Sequence, residues 1–149
     1  MATHEPRDSD FKERVHLSFG RQRFMRTLGA RLTAVAAGVV EIDLPHREEL
    51  TQQHGYLHAG AVAAVLDSAC GYAAYSLADA TTAVLTVEYK INLVAPAITT
   101  VKARGYVLKR GNTLTVCRAE AVSTGEERER LFAAMTATIM EIRNSDVTA

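Results

Sequence analysis

Residues 52–78 read QQHGYLHAGAVAAVLDSACGYAAYSLA, and from residue 59 to residue 78 everything is small, apolar or uncharged except Asp67, near the middle. A helix lying on a surface would carry one polar face, so this stretch predicts a helix covered by protein on nearly every side. Its length suits a membrane span, but the central carboxylate, the Ala and Gly content and the lack of an apolar partner segment argue against one.

An ionised carboxylate in such a helix is costly unless it is paired, hydrogen-bonded or neutralised. Asp67 is therefore either compensated, by Ser68, Tyr72, a backbone amide or an arginine from another element, or used in chemistry. The loop GYLHAG leads into the helix, and the amides of Ala59 and Gly60 fall where the first helical N–H groups lack an intrahelical acceptor. Aided by the helix dipole, those amides suit a carbonyl oxygen acquiring negative charge. Gln52, in the loop just before, adds an uncharged group able to orient a water or a carbonyl. Ala59 and Asp67 are eight residues apart, which is about 12 Å along a helix axis. One helix does not bring both to one carbonyl, whereas two antiparallel copies do. The spacing predicts a homodimer with two composite sites.

The flanking sequence supplies a wrapping for this helix. Residues 10–29, DFKERVHLSFGRQRFMRTLG, place Phe11, Val15, Phe19, Met25 and Leu28 at roughly helical intervals, which predicts one or two helical pieces, with Gly20 as the candidate break. ARLTAVAAGVVEIDLP then predicts a hairpin around Gly38, ended by Pro45. After the central helix come four β-rich runs separated by Pro96, the RGN turn at residues 110–112 and the STGEE turn at residues 123–127. In the second run Lys102, Arg104 and Tyr106 alternate with Val101, Ala103 and Val107, so one face meets a core and the other solvent. The expected fold is α+β: a curved antiparallel sheet, with four consecutive strands after the helix, wrapped around one long helix. Residues 1–30 form an N-terminal helical segment, 31–143 the main domain and 144–149 a tail.

Composition narrows the function classes. The 149 residues carry 17 basic and 17 acidic side chains, so no net field draws nucleic acid or an anionic membrane. The polar N-terminus reads as no secretory signal, which points to the cytoplasm. Two cysteines, Cys70 and Cys117, are too few for a disulfide scaffold and read as buried thiols. His54 and His58 stand four apart, but Gly55 lies between them and the helix begins later, so no metal site is expected.

GYLHAGAVAAVLDSACGYAA resembles the signature of the hotdog-fold acyl-CoA thioesterases of the phenylacetyl-CoA (PaaI-like) type. That pattern is Asn or Gln, a short Gly-containing loop, His-Gly-Gly, then Asp or Glu on the central helix. Gln52, His58-Ala59-Gly60 and Asp67 match it in order, and GVVEIDLP, VEYKINLVAPA and the closing strands fit the family's layout. Ala59 departs from it, adding a methyl group that a helical backbone tolerates and a positive φ would not.

The resemblance implies a hotdog fold, a homodimer or homotetramer, and hydrolysis of an aromatic or medium-chain acyl-CoA to the free acid and coenzyme A, with no further cofactor. Carried over by position, the Ala59 and Gly60 amides polarise the thioester carbonyl and Gln52 helps place the carbonyl or the water. Asp67 of the partner subunit acts as general base on water or as a nucleophile forming an anhydride. His58 receives a positioning role at the helix start, and one of Thr81, Thr82 or Thr86 supplies a hydroxyl. Coenzyme A phosphates need cations, for which Lys90, Arg104, Lys109 and Arg110, with Asn112 in the same turn, are the candidates. The acyl pocket is expected to include parts of the N-terminal helix. Two other readings stand beside hydrolysis: binding of an acyl-CoA or acyl carrier without turnover, and a hydratase or dehydratase acting on enoyl thioesters.

Overall fold

The computed structural model describes residues 4–125 and 128–143, so the expected tail at 144–149 lies outside the described residues. Two short helices, α1 (Phe11–Arg21) and α2 (Arg23–Leu28), precede a hairpin of β1 (Arg31–Ala36) and β2 (Val39–Leu44). A single 3-10 turn (Glu48–Leu50) leads to the central helix α3 (Ala59–Tyr75). Four strands follow: β3 (Thr82–Leu93), β4 (Val101–Arg110), β5 (Leu114–Ser123) and β6 (Leu131–Arg143).

Each element forms for a local reason. Gly38 adopts φ +75° in the hairpin turn, a conformation that costs glycine little. The break between α1 and α2 falls at Gln22 and not at Gly20, which remains inside α1. Gln22 takes an extended backbone (φ −75°, ψ 100°), so that α2 turns Met25 and Leu28 into the core. In β4 the alternation is as expected: Val101, Ala103 and Val107 are buried, while Lys102, Arg104 and Tyr106 are partly exposed on the other face.

The six strands form one antiparallel sheet in the order β1-β2-β4-β5-β6-β3. The four later strands are therefore not paired consecutively. β4, β5 and β6 form a meander, but β3 pairs with β6, and β2 of the hairpin takes the place beside β4. The connection after β3 contains Pro96, which ends pairing there and frees the chain to cross to the far side. β3 thus lies at the sheet edge with Leu85, Val87, Tyr89 and Leu93 about half exposed.

The sheet's inner face packs on α3 through Val40, Ile42, Ala103, Ala119, Ala121, Ala137 and Ile139, all buried. The small residues let the helix come close. At Gly105 an added Cβ would sit 2.4 Å from the Ala69 carbonyl carbon, so the helix backbone rests directly on β4.

The C-terminal end of α3 is tied at two points. Buried Ser76 accepts a hydrogen bond from Gly38 N–H at 2.8 Å and donates to the Ala73 carbonyl at 2.7 Å. Arg14 of α1 donates to the Ala78 and Tyr75 carbonyls (2.8 and 3.3 Å), pairs with Asp8 (2.7 Å) and lies over the Tyr75 ring. A guanidinium at the last carbonyls is favoured by the helix dipole, and it locks α1 against α3. Cover of α3 is nevertheless incomplete. Ala63, Ala64, Asp67, Gly71 and Tyr75 form a half-buried stripe at helical spacing, and the first turn is exposed.

Candidate active site

The loop that delivers the start of α3 is pinned by backbone hydrogen bonds: Gln52 N–H to the Tyr56 carbonyl, Leu57 N–H to Ala97, and His58 N–H to Leu50, at 2.8, 2.9 and 2.8 Å. His58 is the N-cap residue, and its Nδ1 accepts the Gly60 N–H at 2.8 Å. This separates two amides expected to act together, because the Gly60 amide is occupied by the cap. The Ala59 N–H makes no hydrogen bond among the described residues and faces outward. Ala59 is helical and no described non-glycine residue has a positive φ, so its methyl group is accommodated without backbone strain. Gln52 Oε1 accepts the His54 N–H, which leaves the Gln52 side-chain NH2 as its remaining polar group. Gln52, Tyr56, Ala59, Val62, Leu93 and Phe132 line a cavity of about 360 Å³.

Asp67 opens elsewhere. Its Oδ1 accepts a 2.7 Å hydrogen bond from Thr86 Oγ1 of β3. The expected alternatives are engaged otherwise: Ser68 Oγ donates to Gln22 Oε1 at 3.5 Å, and the Tyr72 hydroxyl pairs with Ser18 at 3.3 Å. No arginine pairs with Asp67 among the described residues. Burial pushes the Asp67 carboxyl above the usual aspartate range, and the Thr86 hydrogen bond opposes that push. A second cavity, about 290 Å³, is lined by Asp67, Gly71, Tyr72 and Thr86 together with Ser18, Arg21 and Gln22. A Cβ at Gly71 would meet nothing within 4 Å, so the wall beside the carboxylate is open. The two cavities share no lining residue.

Of the three threonines considered, only Thr86 reaches Asp67. The β-bulge between Thr86 and Glu88 lies next to it, and no local sequence pattern marks that irregularity. Parts of the N-terminal helix were expected at a pocket, and the residues that line this cavity are Ser18 and Arg21 of α1 with Gln22 just after it, which helical spacing alone does not single out.

Two of the residues expected to meet coenzyme A, Arg104 and Arg110, are paired with carboxylates. Arg104 is held by Glu41 at 2.7 Å and Glu129 at 3.2 Å, and Arg110 by Glu141 at 3.0 Å. Glu41 stands directly opposite Arg104 in the β2–β4 register, a placement that favours ion pairing across strands. Lys90 donates to Asn92 Oδ1 at 2.5 Å, while Lys109 and Asn112 are exposed. None of these five residues lines either cavity. Among the described residues no group of three or more His, Cys, Asp or Glu side chains is arranged to hold a metal. Cys70 and Cys117 are buried free thiols, both raised by burial above the ordinary thiol range and therefore unreactive.

A helix-on-sheet fold with one carboxylate at mid-helix and a free amide at the helix start admits comparison with known proteins. The family model described as the thioesterase superfamily matches residues 54–129. The chain belongs to the thioesterase superfamily. It is a thioester hydrolase with the hotdog fold of that family. It is similar to a thioesterase family protein from Silicibacter pomeroyi, with 49% identity, a TM-score of 0.86, and coverage of 89% of this chain and 98% of that one. The E. coli PaaI protein, from the phenylacetic acid degradation operon, shares the fold at a TM-score of 0.80 and 18% identity, covering 89% of this chain and 94% of its own. A Saccharolobus solfataricus protein named among the esterases is 30% identical over 99 residues, which are 66% of this chain and 70% of that protein. The matched segment of this superfamily member contains His58, Ala59, Gly60 and Asp67 but begins after Gln52. No helix among its described residues is long and apolar enough to cross a membrane.

Proposed function

We propose that this hydrolase cleaves acyl-CoA thioesters in a dimer, at sites built from the Ala59 end of one α3 and Asp67 of the partner's α3. The observation that carries this reading is that Ala59 and Asp67, on one helix, open into two cavities with no lining residue in common. Each cavity then holds half of a site. The unpaired edge of β3, with its exposed apolar side chains, supports association through that edge, because such an edge is otherwise a liability. The half-buried stripe of small residues along α3 allows a second helix to lie antiparallel against it.

In the proposed reaction the substrate carbonyl oxygen accepts the Ala59 N–H and the Gln52 side-chain NH2. Both bonds strengthen as the oxygen gains charge. Asp67 takes a proton from a water, whose oxygen bonds to the carbonyl carbon, and the C–S bond then breaks to release coenzyme A. Alternatively the Asp67 carboxylate bonds to the carbonyl carbon, the C–S bond breaks to release coenzyme A as its thiolate, and water then cleaves the resulting anhydride to the free acid and the Asp67 carboxylate. His58 fixes the helix start. Lys90 and Lys109, which form no ion pair among the described residues, stand with Arg104, Arg110 and Asn112 as the candidates for the coenzyme A phosphates. A hydratase mechanism draws less support, since His58 Nδ1 is engaged in capping and lines neither cavity.

The test is thiol release from aromatic and medium-chain acyl-CoA esters. Asp67→Asn lowers kcat by about 10³-fold while circular dichroism is unchanged; full activity in that variant would remove Asp67 from the chemistry. A single turnover in ¹⁸O-water that leaves label on the Asp67 carboxylate would establish the anhydride path, with water attacking the Asp67 carboxyl carbon.

A further inference from the structure

The cavity beside Asp67 is built unlike an apolar acyl tunnel. Tyr72 and Tyr75, about one and a half and two helical turns along α3 from the carboxylate, line it together with Ser18 and Arg21 of α1 and Gln22 just after that helix. Gln22 Oε1 accepts from Ser68, so the group it has left is the side-chain NH2, a donor. One hydroxyl of the Ser18–Tyr72 pair donates to the other, and the second proton of the pair is available. The Arg21 side chain is exposed and makes no ion pair or hydrogen bond among the described residues. It also borders a groove containing Asp8, Asp10 and Glu13, yet forms no ion pair with any of them. A cation in the last turn of α1 is favoured by the helix dipole, which accounts for the charge but not for its place in the cavity wall.

Resting on the proposed acyl-CoA hydrolysis, we propose that this cavity receives short acyl groups ending in a carboxylate, with Arg21 as the residue that selects them. An apolar acyl end would leave the half-buried Gln22 donor and the Ser18–Tyr72 hydroxyl pair without partners, and would make no use of the exposed guanidinium of Arg21 at the cavity wall. A terminal carboxylate satisfies them, and a guanidinium offers it two parallel donors. Arg21 and Tyr72 line the same cavity as Asp67, and the hydrogen bond that holds the Asp67 carboxylate comes from Thr86 and not from Arg21.

The experiment compares glutaryl-CoA with pentanoyl-CoA, which have five-carbon acyl groups, using the full-length enzyme. The wild type hydrolyses the glutaryl ester with a kcat/KM about tenfold or more above that of the pentanoyl ester. In Arg21→Gln that ratio falls about tenfold, mainly through KM for the acidic ester, and Arg21→Lys restores part of it. A wild type that prefers the pentanoyl ester, or a ratio unmoved by Arg21→Gln, overturns the selection while leaving acyl-CoA hydrolysis in place. Hydrolysis of neither ester, nor of any aromatic or medium-chain ester, overturns the proposed function and this inference together.

Discussion

Thr86 Oγ1, on the edge strand, donates a 2.7 Å hydrogen bond to Asp67 Oδ1 at the middle of the central helix. The bond joins the outermost strand to the proposed catalytic carboxylate. It favours the ionised form that a base or nucleophile needs, against a burial that disfavours it.

Removing this donor leaves burial unopposed. Thr86→Val is expected to move the acid limb of the kcat/KM–pH profile to higher pH and to lower kcat/KM at neutral pH by about tenfold, the scale of one hydrogen bond to a charged group. A limb that stays in place would show that Thr86 does not act on the titrating group.

Asp67 also links stability to pH. Its folded pKa is raised by burial, so its contribution to stability is complete below the ordinary aspartate range and is lost as pH rises through the higher folded value. Asp67→Asn is therefore expected to have a higher Tm than the wild type at neutral pH, with the two curves converging in acid. Thermal melts from pH 3 to pH 8 measure this, and a variant less stable at pH 7 would contradict it.

If each site joins two subunits, inactive variants complement one another. Asp67→Asn and Gln52→Ala, unfolded and refolded together at equal concentrations, give heterodimers in which one of the two sites has both residues intact. About a quarter of wild-type activity is then expected from random pairing in a two-fold dimer. No recovery above the separate variants would place Gln52 and Asp67 in a single chain's site.

Gly105 and Ala69 test the seat of the helix. A methyl group at position 105 meets the Ala69 carbonyl carbon at 2.4 Å, its oxygen at 2.5 Å and Cys70 N at 2.8 Å, all backbone atoms. Gly105→Ala is expected to cost about 3 kcal/mol by overpacking, which lowers Tm by about 6–12 °C in a chain of this size. An unchanged Tm would mean that α3 stands off the sheet.

Much of the fold was legible because it is written in local periodicity. The run at residues 59–78, uncharged but for Asp67, specified the central helix, Gly38 the hairpin, and the alternation in VKARGYVLKR the inner face of β4. Strand order was not, since pairing β3 with β6 and β2 with β4 depends on contacts far apart in the chain. Among site residues, His58, Ala59 and Asp67 stood out by their place on one helix. The pairing of Arg104 with Glu41 and of Arg110 with Glu141 was not legible, because a strand-face cation looks the same whether or not a carboxylate from another strand faces it.

The division follows from the range of the forces involved. By itself the sequence determined that a lone carboxylate sits eight residues beyond a helix start, a separation set by the 1.5 Å helical rise and independent of everything else in the chain. Only the tertiary structure decided what surrounds each end: the His58 cap that takes the Gly60 amide, the Thr86 hydroxyl that reaches Asp67, and the α1 residues that line its cavity. Those neighbours come from other segments, and packing alone brings them within hydrogen-bond distance.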